Sequence, residues 1–346
     1  MSIRRKYFIV SLILMVNRGA VADSGEFQEL PYTKIQKQNP IELMVCAADN
    51  PQFKVLSDKD LQTILFFAKK HTKTYLGMDV DFKLQSRNSI KEVFDLSARR
   101  AIEFFRPYIF HWKVGSIETD SLKKFIKESL FTDEKYVVEM KKFTVGFLLE
   151  DKGDFSDQLV NTALMRLFYW RTAKDKGGNL YVNEGNLNEW LMWQALGYGN
   201  NTCDIIITNQ LVVSAEYAPT DVHTLIRGGI SVGSTFYGKN THSKKFAFLS
   251  TFPFFESHEY LSYLRGDEVY THQEALELSG TYLVHELGHM LLHLGHPLNH
   301  HECVMNPVTM LEFKNWATGL DASECKIGSS KYMTPGTQKI FYFRNL

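Results

Sequence analysis

The 346-residue chain lacks most features that mark non-globular proteins or proteins that bind nucleic acids. It has only nine prolines, no internal repeat and no low-complexity tract, which excludes a linker-rich array or a disordered chain. It also lacks a basic excess, since 39 lysines and arginines balance 39 acidic residues, so nucleic acid is not an expected partner. Because 44% of the residues are hydrophobic, the chain can bury a large core.

Long apolar runs are also lacking, apart from a short one near the N-terminus. A basic stretch at residues 4–6 precedes the apolar run 7–16, and Ala20-Val21-Ala22 follows. This order predicts a secretory signal peptide over residues 1–22 with cleavage after Ala22, and an uncleaved signal anchor is the alternative. Cleavage leaves 35 basic and 39 acidic residues in a secreted or periplasmic chain without a stable membrane span.

Cysteine is scarce, but its number is even. The four residues are Cys46, Cys203, Cys303 and Cys325. An exported protein meets an oxidising compartment, so two disulfides are expected. The preferred pair is Cys303 with Cys325, because both flank one C-terminal loop, and Cys46 is left to pair with Cys203.

The hydrophobic pattern predicts an α+β fold in one domain over residues 23–346. Its parts are a helix and first strand within 58–85, a mostly helical insertion over about 89–200, and a sheet, long helix and C-terminal part over 201–346. The clearest elements are helices over 58–75, 90–105 and 157–169 and strands over 80–84, 204–208, 229–236 and 245–252.

The long helix carries the main chemical signal. Thr271 and Glu274 match a capping box that begins it, and residues 285–289 read His-Glu-Leu-Gly-His. Histidines four residues apart lie on one helix face and can bind the same Zn²⁺, while Glu286 can act as general base toward water. The pattern predicts His285 and His289 as zinc ligands and Glu286 as the catalytic residue.

A catalytic zinc needs a third protein ligand, and several histidines compete for this place. His296 is preferred, because Gly295 can end the helix in a left-handed conformation and Pro297 stops it from resuming. The chain can then fold back toward the metal. His293 is the second choice, since it continues the row along the same helix. His300 or His301 also remain open.

Three segments together resemble a known family. These are the His285–His289 motif, Gly295-His296-Pro297 and Cys303-Val304-Met305-Asn306-Pro307. They resemble the metzincin metallopeptidases, which have H-E-x-x-H-x-x-G-x-x-H followed by a methionine turn. The matrix-metalloproteinase and archaemetzincin types are the closest. The third histidine comes one residue later here than in the family pattern, and the glycine directly precedes it.

The resemblance implies a zincin-like catalytic domain with a mixed twisted sheet, an active-site helix and a Met-turn. Met305 would form the apolar floor under the ligands, and Thr334-Pro335 would open a final helix that includes Ile340 and Phe341. A substrate peptide would add to an antiparallel edge strand, for which 229–236 and 245–252 are both candidates. Some members are kept latent by a propeptide cysteine, a role that Cys46 could fill instead of forming a disulfide.

The predicted function is therefore that of an exported zinc-dependent endopeptidase, with a protein or peptide as substrate and Zn²⁺ as cofactor. One alternative is a zinc amidase or another zincin with a different third ligand, such as Glu302. A non-catalytic metal-binding protein of the same fold is a further alternative, and a surface toxin or adhesin is the last.

Overall fold

The computed structural model describes about two thirds of the chain. The predicted signal peptide and the helix over 90–105, except for Ile90, lie outside the described residues. The described residues are 26–29, 40–90, 127, 130–131, 133–149, 153–181, 202–213, 221–237, 245–325, 327, 335–336 and 339–342.

A five-stranded mixed sheet is the centre of the fold, as the sequence predicts. Its order is β3-β2-β4-β8-β7; β7 alone runs antiparallel to its neighbour, and the other pairs are parallel. The strands are β2 (Ile41–Asp49), β3 (Val80–Ser89), β4 (Ile205–Thr208), β7 (Gly233–Phe236) and β8 (Phe246–Ser250). The β4 and β8 strands are buried throughout, as central parallel strands with both faces covered must be.

Two small antiparallel pairs lie outside this sheet. The β1 strand (Glu26–Glu29) pairs with β9 (Lys339–Tyr342), and β5 (Val212–Val213) pairs with β6 (Ile230–Ser231). The predicted strand over 229–236 is therefore divided between two sheets. The final helix expected over 335–341 is wrong, because part of this segment forms strand β9.

Eight α-helices are assigned within the described residues. They are α1 (Asp58–His71), α2 (Glu134–Thr144), α3 (Phe155–Thr172), α4 (Val222–Ile226), α5 (Phe252–Phe255), α6 (Glu259–Leu264), α7 (His272–Leu292) and α8 (Phe313–Thr318). A π-helical turn, Thr72–Leu76, extends α1. None of these helices combines the length and apolar composition that a membrane span requires.

The two helices that pack on each other beside the sheet, α1 and α7, both begin as the sequence predicts. In α1 the Ser57 side chain accepts from the Asp60 N–H, and the Asp60 carboxylate accepts from the Ser57 N–H in return. Thr271 and Glu274 make the same reciprocal pair at the start of α7. Each capping box satisfies two backbone N–H groups that would otherwise lack partners. The long α7 is buried along nearly all its length.

The described part of the region 89–200 includes α3, which packs against α4. The predicted helix over 157–169 is confirmed and runs slightly further at both ends, as α3. Arg166 on α3 is buried and donates from Nη1 to the Ile226 carbonyl at the end of α4. Trp170 is fully buried against Tyr181 and Phe252, so this aromatic residue belongs to the core and not to an open cleft.

Both disulfides are present in the expected pairing. Cys46 on β2 bonds to Cys203 just before β4, and Cys303 bonds to Cys325 across the loop that follows α7. No described cysteine is free, so the latency role considered for Cys46 is not supported. Two disulfides favour an oxidising compartment.

The two disulfides close loops of very different length, which predicts different losses of stability on their removal. Cys46 and Cys203 are 157 residues apart and Cys303 and Cys325 only 22. Loop-closure entropy gives about 5 kcal/mol for the first and about 3 kcal/mol for the second. Replacing each pair by serine and measuring urea unfolding tests this. An equal loss, or a larger one for the Cys303–Cys325 pair, would contradict the prediction.

Candidate metal centre

The α7 helix places the motif histidines as its periodicity requires. His285 and His289 lie one turn apart in the buried last part of the helix, and Glu286 lies beside them. These three side chains are 1%, 5% and 2% exposed. Two imidazoles and a carboxylate buried together without a partner are costly, so this burial itself calls for a charge-compensating ligand.

The chain reverses direction at once after α7, but not at the residue that the sequence suggested. The helix ends at Leu292, and His293 takes the left-handed conformation, with φ 51° and ψ 46°. The Leu294 N–H donates to the Gly288 carbonyl at 3.3 Å, which closes the turn. Gly295 is not the left-handed residue that was expected. The predicted reversal itself is present, and it returns His296 to the helix.

The reversal brings three imidazole nitrogens to one point. The Nε2 atoms of His285 and His289 are 3.0 Å apart, and the His296 Nε2 lies 3.1 Å from the first and 2.9 Å from the second. Imidazoles arranged tetrahedrally around zinc at about 2.0–2.1 Å have nitrogens about 3.3 Å apart. The observed triangle is slightly tighter, and its donor set is one that zinc commonly takes.

Each of these rings has a partner for its other nitrogen. The His285 Nδ1 lies 2.9 Å from the Val304 carbonyl, and the His289 Nδ1 lies 2.5 Å from the Leu294 carbonyl. The His296 Nδ1 lies 3.3 Å from Asp221 Oδ1. A carbonyl or carboxylate oxygen accepts, so each Nδ1 carries the proton and each Nε2 presents a lone pair.

Burial favours the neutral imidazoles that bind metal ions. Burial, followed by the neighbouring His289 and His296, holds the pKa of His285 well below its ordinary value. Three unprotonated nitrogens that share one small space repel each other unless a cation lies between them. The residues present therefore fit a zinc ion.

The other histidines of this region lie elsewhere. His293 Nε2 is 3.2 Å from Lys245 Nζ, and its ring stands edge-to-face with Tyr237. His300, His301 and Glu302 are not part of the histidine triad, and the last two are exposed. Among the described residues, His296 is thus the third candidate ligand that the structure brings to His285 and His289.

Glu286 is held by the edge strand of the sheet. The Thr235 Oγ1 on β7 lies 3.1 Å from Glu286 Oε2 and 3.2 Å from the Glu286 carbonyl oxygen, so its single proton is shared between these two acceptors. Gly233 on the same strand leaves room for the carboxylate, because a Cβ atom there would lie 2.6 Å from Glu286 Oε1. Of the two candidate edge strands, 229–236 therefore contains the one at the site. No sequence pattern links this strand with α7.

Met305 packs against Gly288 of the motif. Its side chain is fully buried, and a Cβ atom at Gly288 would lie 2.2 Å from its sulfur. The glycine of the motif thus lets the thioether approach the helix between the two ligand positions. The neighbouring Trp316 Nε1 donates to the Asn306 carbonyl at 3.0 Å, which fixes this turn to α8.

A second layer of buried polar side chains lies behind the triad, and sequence reasoning missed it. The ring centroid of His223 is 5.0 Å from that of His296, and Tyr282 stacks on His285 with centroids 5.3 Å apart. Burial, followed by the nearby charge of Arg227, holds the pKa of His223 well below its ordinary value. His223 lies on α4, a helix of five residues, too short for a periodic signal.

Comparison with known proteins does not assign this chain to a protein family. No protein-family model matches the chain, and no curated protein is similar to it in sequence. The crystal structure of archaemetzincin from Methanopyrus kandleri is similar with a TM-score of 0.37 and 14% sequence identity. The likeness covers 84% of this chain and 94% of that chain. At this TM-score it carries no argument about residue roles, which depend on the site alone.

The placement of the histidines predicts which substitutions release zinc. His296→Ala removes one corner of the triad, so zinc content after dialysis should fall well below one ion per chain. His293→Ala should keep its zinc, because this ring contacts Lys245 and Tyr237 instead. Metal analysis of the two purified variants beside the wild type provides the measurement. The reverse order of zinc loss would transfer the third-ligand role to His293.

Proposed function

We propose that this chain is an exported zinc-dependent endopeptidase. The observation that carries the proposal is the convergence of the His285, His289 and His296 Nε2 atoms within 3.1 Å of one another, with Glu286 beside them. Three histidines and an open position are the ligand set of a catalytic zinc, whereas structural zinc sites fill all four positions from the protein.

Each residue of the site has its own role in the proposed reaction. The three histidines would hold the metal ion, which supplies Lewis acidity that polarises a carbonyl group and acidifies water near neutral pH. Glu286 takes the proton of the attacking water at its carboxylate and then donates it to the leaving amine nitrogen. The Thr235 hydroxyl, by donating to Oε2, orients this carboxylate for both transfers.

The edge strand supports a peptide as substrate. The β7 strand is the last of the five strands and borders Glu286 through Gly233 and Thr235. An extended peptide can add to such an edge by main-chain hydrogen bonds. It would then run past the carboxylate that transfers the proton.

The proposal also covers the type of metallopeptidase and the compartment in which the protein is found. The Met305 contact beneath Gly288 supports a Met-turn and so a metzincin-type domain, which would comprise residues 23–346. The basic and apolar N-terminal pattern supports a signal peptide over residues 1–22. The two disulfides favour the secreted or periplasmic location that follows from it.

The first test removes the base but keeps the metal site. Glu286→Gln should retain about one zinc per chain and lose peptide hydrolysis by about 10²–10⁴-fold, the usual contribution of general acid–base catalysis. Zinc content and turnover of a fluorogenic peptide library are measured together. Glu302→Gln is the control, because this exposed carboxylate lies outside the cluster and activity should not change.

Three results would contradict the proposal. Wild-type turnover by Glu286→Gln would remove Glu286 from the mechanism. A folded wild-type chain that stays without zinc after zinc is supplied would remove the metal centre. Zinc binding without hydrolysis of any peptide would favour a non-catalytic metal-binding protein or, if a cell-wall amide is cleaved instead, a zinc amidase.

A second test concerns the space that Gly233 leaves. Gly233→Ala places a Cβ atom within 2.6–2.8 Å of the Glu286 side chain, which must move aside. A misplacement of about 1 Å costs about 10²-fold in rate, so kcat should fall while zinc content stays the same. Gly319→Ala is the matched control, since a Cβ atom there meets only ordinary contacts at 3.6 Å. Unchanged kcat in Gly233→Ala would show that the carboxylate position is not critical.

A further inference from the structure

The third histidine is held differently from the other two. The Nδ1 atoms of His285 and His289 face backbone carbonyl groups, whereas the His296 Nδ1 faces the Asp221 carboxylate at 3.3 Å. Asp221 comes directly before α4, far from α7 in sequence. The outer nitrogen of His296 therefore faces a charged side chain, which comes from a separate element.

His296 also has the greatest need for such a partner. His285 and His289 project from a regular helix, which restricts their side-chain conformations. His296 follows the left-handed turn at His293 and lies in a segment without regular secondary structure. The conformational restriction that a helix imposes on its side chains does not apply to this ring, so a contact from another element is one way to fix it.

We infer that Asp221 is a positioning residue that fixes His296 as the third metal ligand. Its carboxylate accepts the Nδ1 proton, which leaves the lone pair on Nε2 and turns the ring toward the His285 and His289 nitrogens. This inference depends on the proposed metal centre but not on the reaction that occurs there.

A second metal ion is the competing explanation for the same residues. Ligand atoms of Asp221, His223 and His296 lie within 4.8 Å of one another, and the buried Nδ1 of His223 makes no hydrogen bond. The His296 ring, however, already directs Nε2 at the triad. Binding a second ion through Nδ1 would require the ring to lose both protons. A neutral ring that keeps its Nδ1 proton and directs it toward Asp221 does not have to lose a second proton.

The experiment measures zinc affinity by competition with a chromophoric chelator in the purified chain and two variants. Asp221→Asn keeps the size of the side chain and removes its charge, so the zinc Kd should rise about 10–100-fold. Asp221→Glu keeps the charge on a longer side chain and should recover part of that loss. If Asp221 only fills space, Asn should bind as the wild type does and Glu should be the worse of the two.

Cobalt substitution adds a readout that a purely structural role would not change. The ligand-field bands of the Co²⁺ protein should shift in Asp221→Asn, because the geometry at His296 changes, and return toward the wild type in Asp221→Glu. Asp79→Asn is the control: this half-exposed carboxylate pairs with Lys73 outside the metal centre, so affinity and spectrum should stay unchanged. Far-UV circular dichroism confirms that each variant is folded.

The outcomes separate this inference from the proposed function. Equal zinc affinity and equal cobalt spectra for Asp221→Asn and the wild type would overturn the inference and leave the peptidase proposal intact. Two ions per wild-type chain, with one lost in His223→Gln, would also overturn it and assign Asp221 to a second site. A folded wild type that binds no zinc would overturn the proposed function and, with it, this inference. Zinc binding without hydrolysis, combined with weaker binding by Asp221→Asn, would support the inference alone.

Discussion

Three imidazole nitrogens within 3.1 Å of one another, in a buried place, are the constraint on which the rest of this site depends. Their lone pairs repel, and little water is available to separate them. Each ring has its outer nitrogen committed to an oxygen, so the lone pairs cannot turn away at low cost. A cation at the centre would remove this repulsion, and the contacts of the three rings with their oxygen partners hold the nitrogens in this arrangement.

Several elements around α7 hold this arrangement in place. The loop after α7 supplies the Val304 carbonyl to His285 and the Met305 thioether to Gly288, and the Cys303–Cys325 disulfide ties this loop down. The β7 strand orients Glu286. The α4 helix is buried throughout and is supported from behind by Arg166 of α3. Helix α3 is thus joined to the site through α4, which Asp221 directly precedes.

The sequence predicted those features that depend on residues close together in the chain. Helical periodicity predicted α1, a capping box marked the start of α7, and the spacing of four residues placed His285 and His289 on one face. His296 was predicted from a reversal that does occur, although the left-handed residue is His293 and not Gly295. Thr235, Gly233 and Asp221 were not predicted, because they meet the motif only through sheet order and the packing of α4. Such long-range contacts leave no periodic trace along the chain.

The left-handed His293 also explains how a spacing one residue longer than the metzincin pattern reaches the same kind of geometry. Glycine tolerates this conformation best, but histidine adopts it more readily than most residues. Here the strain is offset by contacts of the side chain with Lys245 and Tyr237. Because the helix ends at Leu292, three residues separate its last turn from His296, which is enough to fold back over His289. The extra residue is therefore absorbed in the turn, which brings the His296 Nε2 to within 3.1 Å of the His285 and His289 nitrogens.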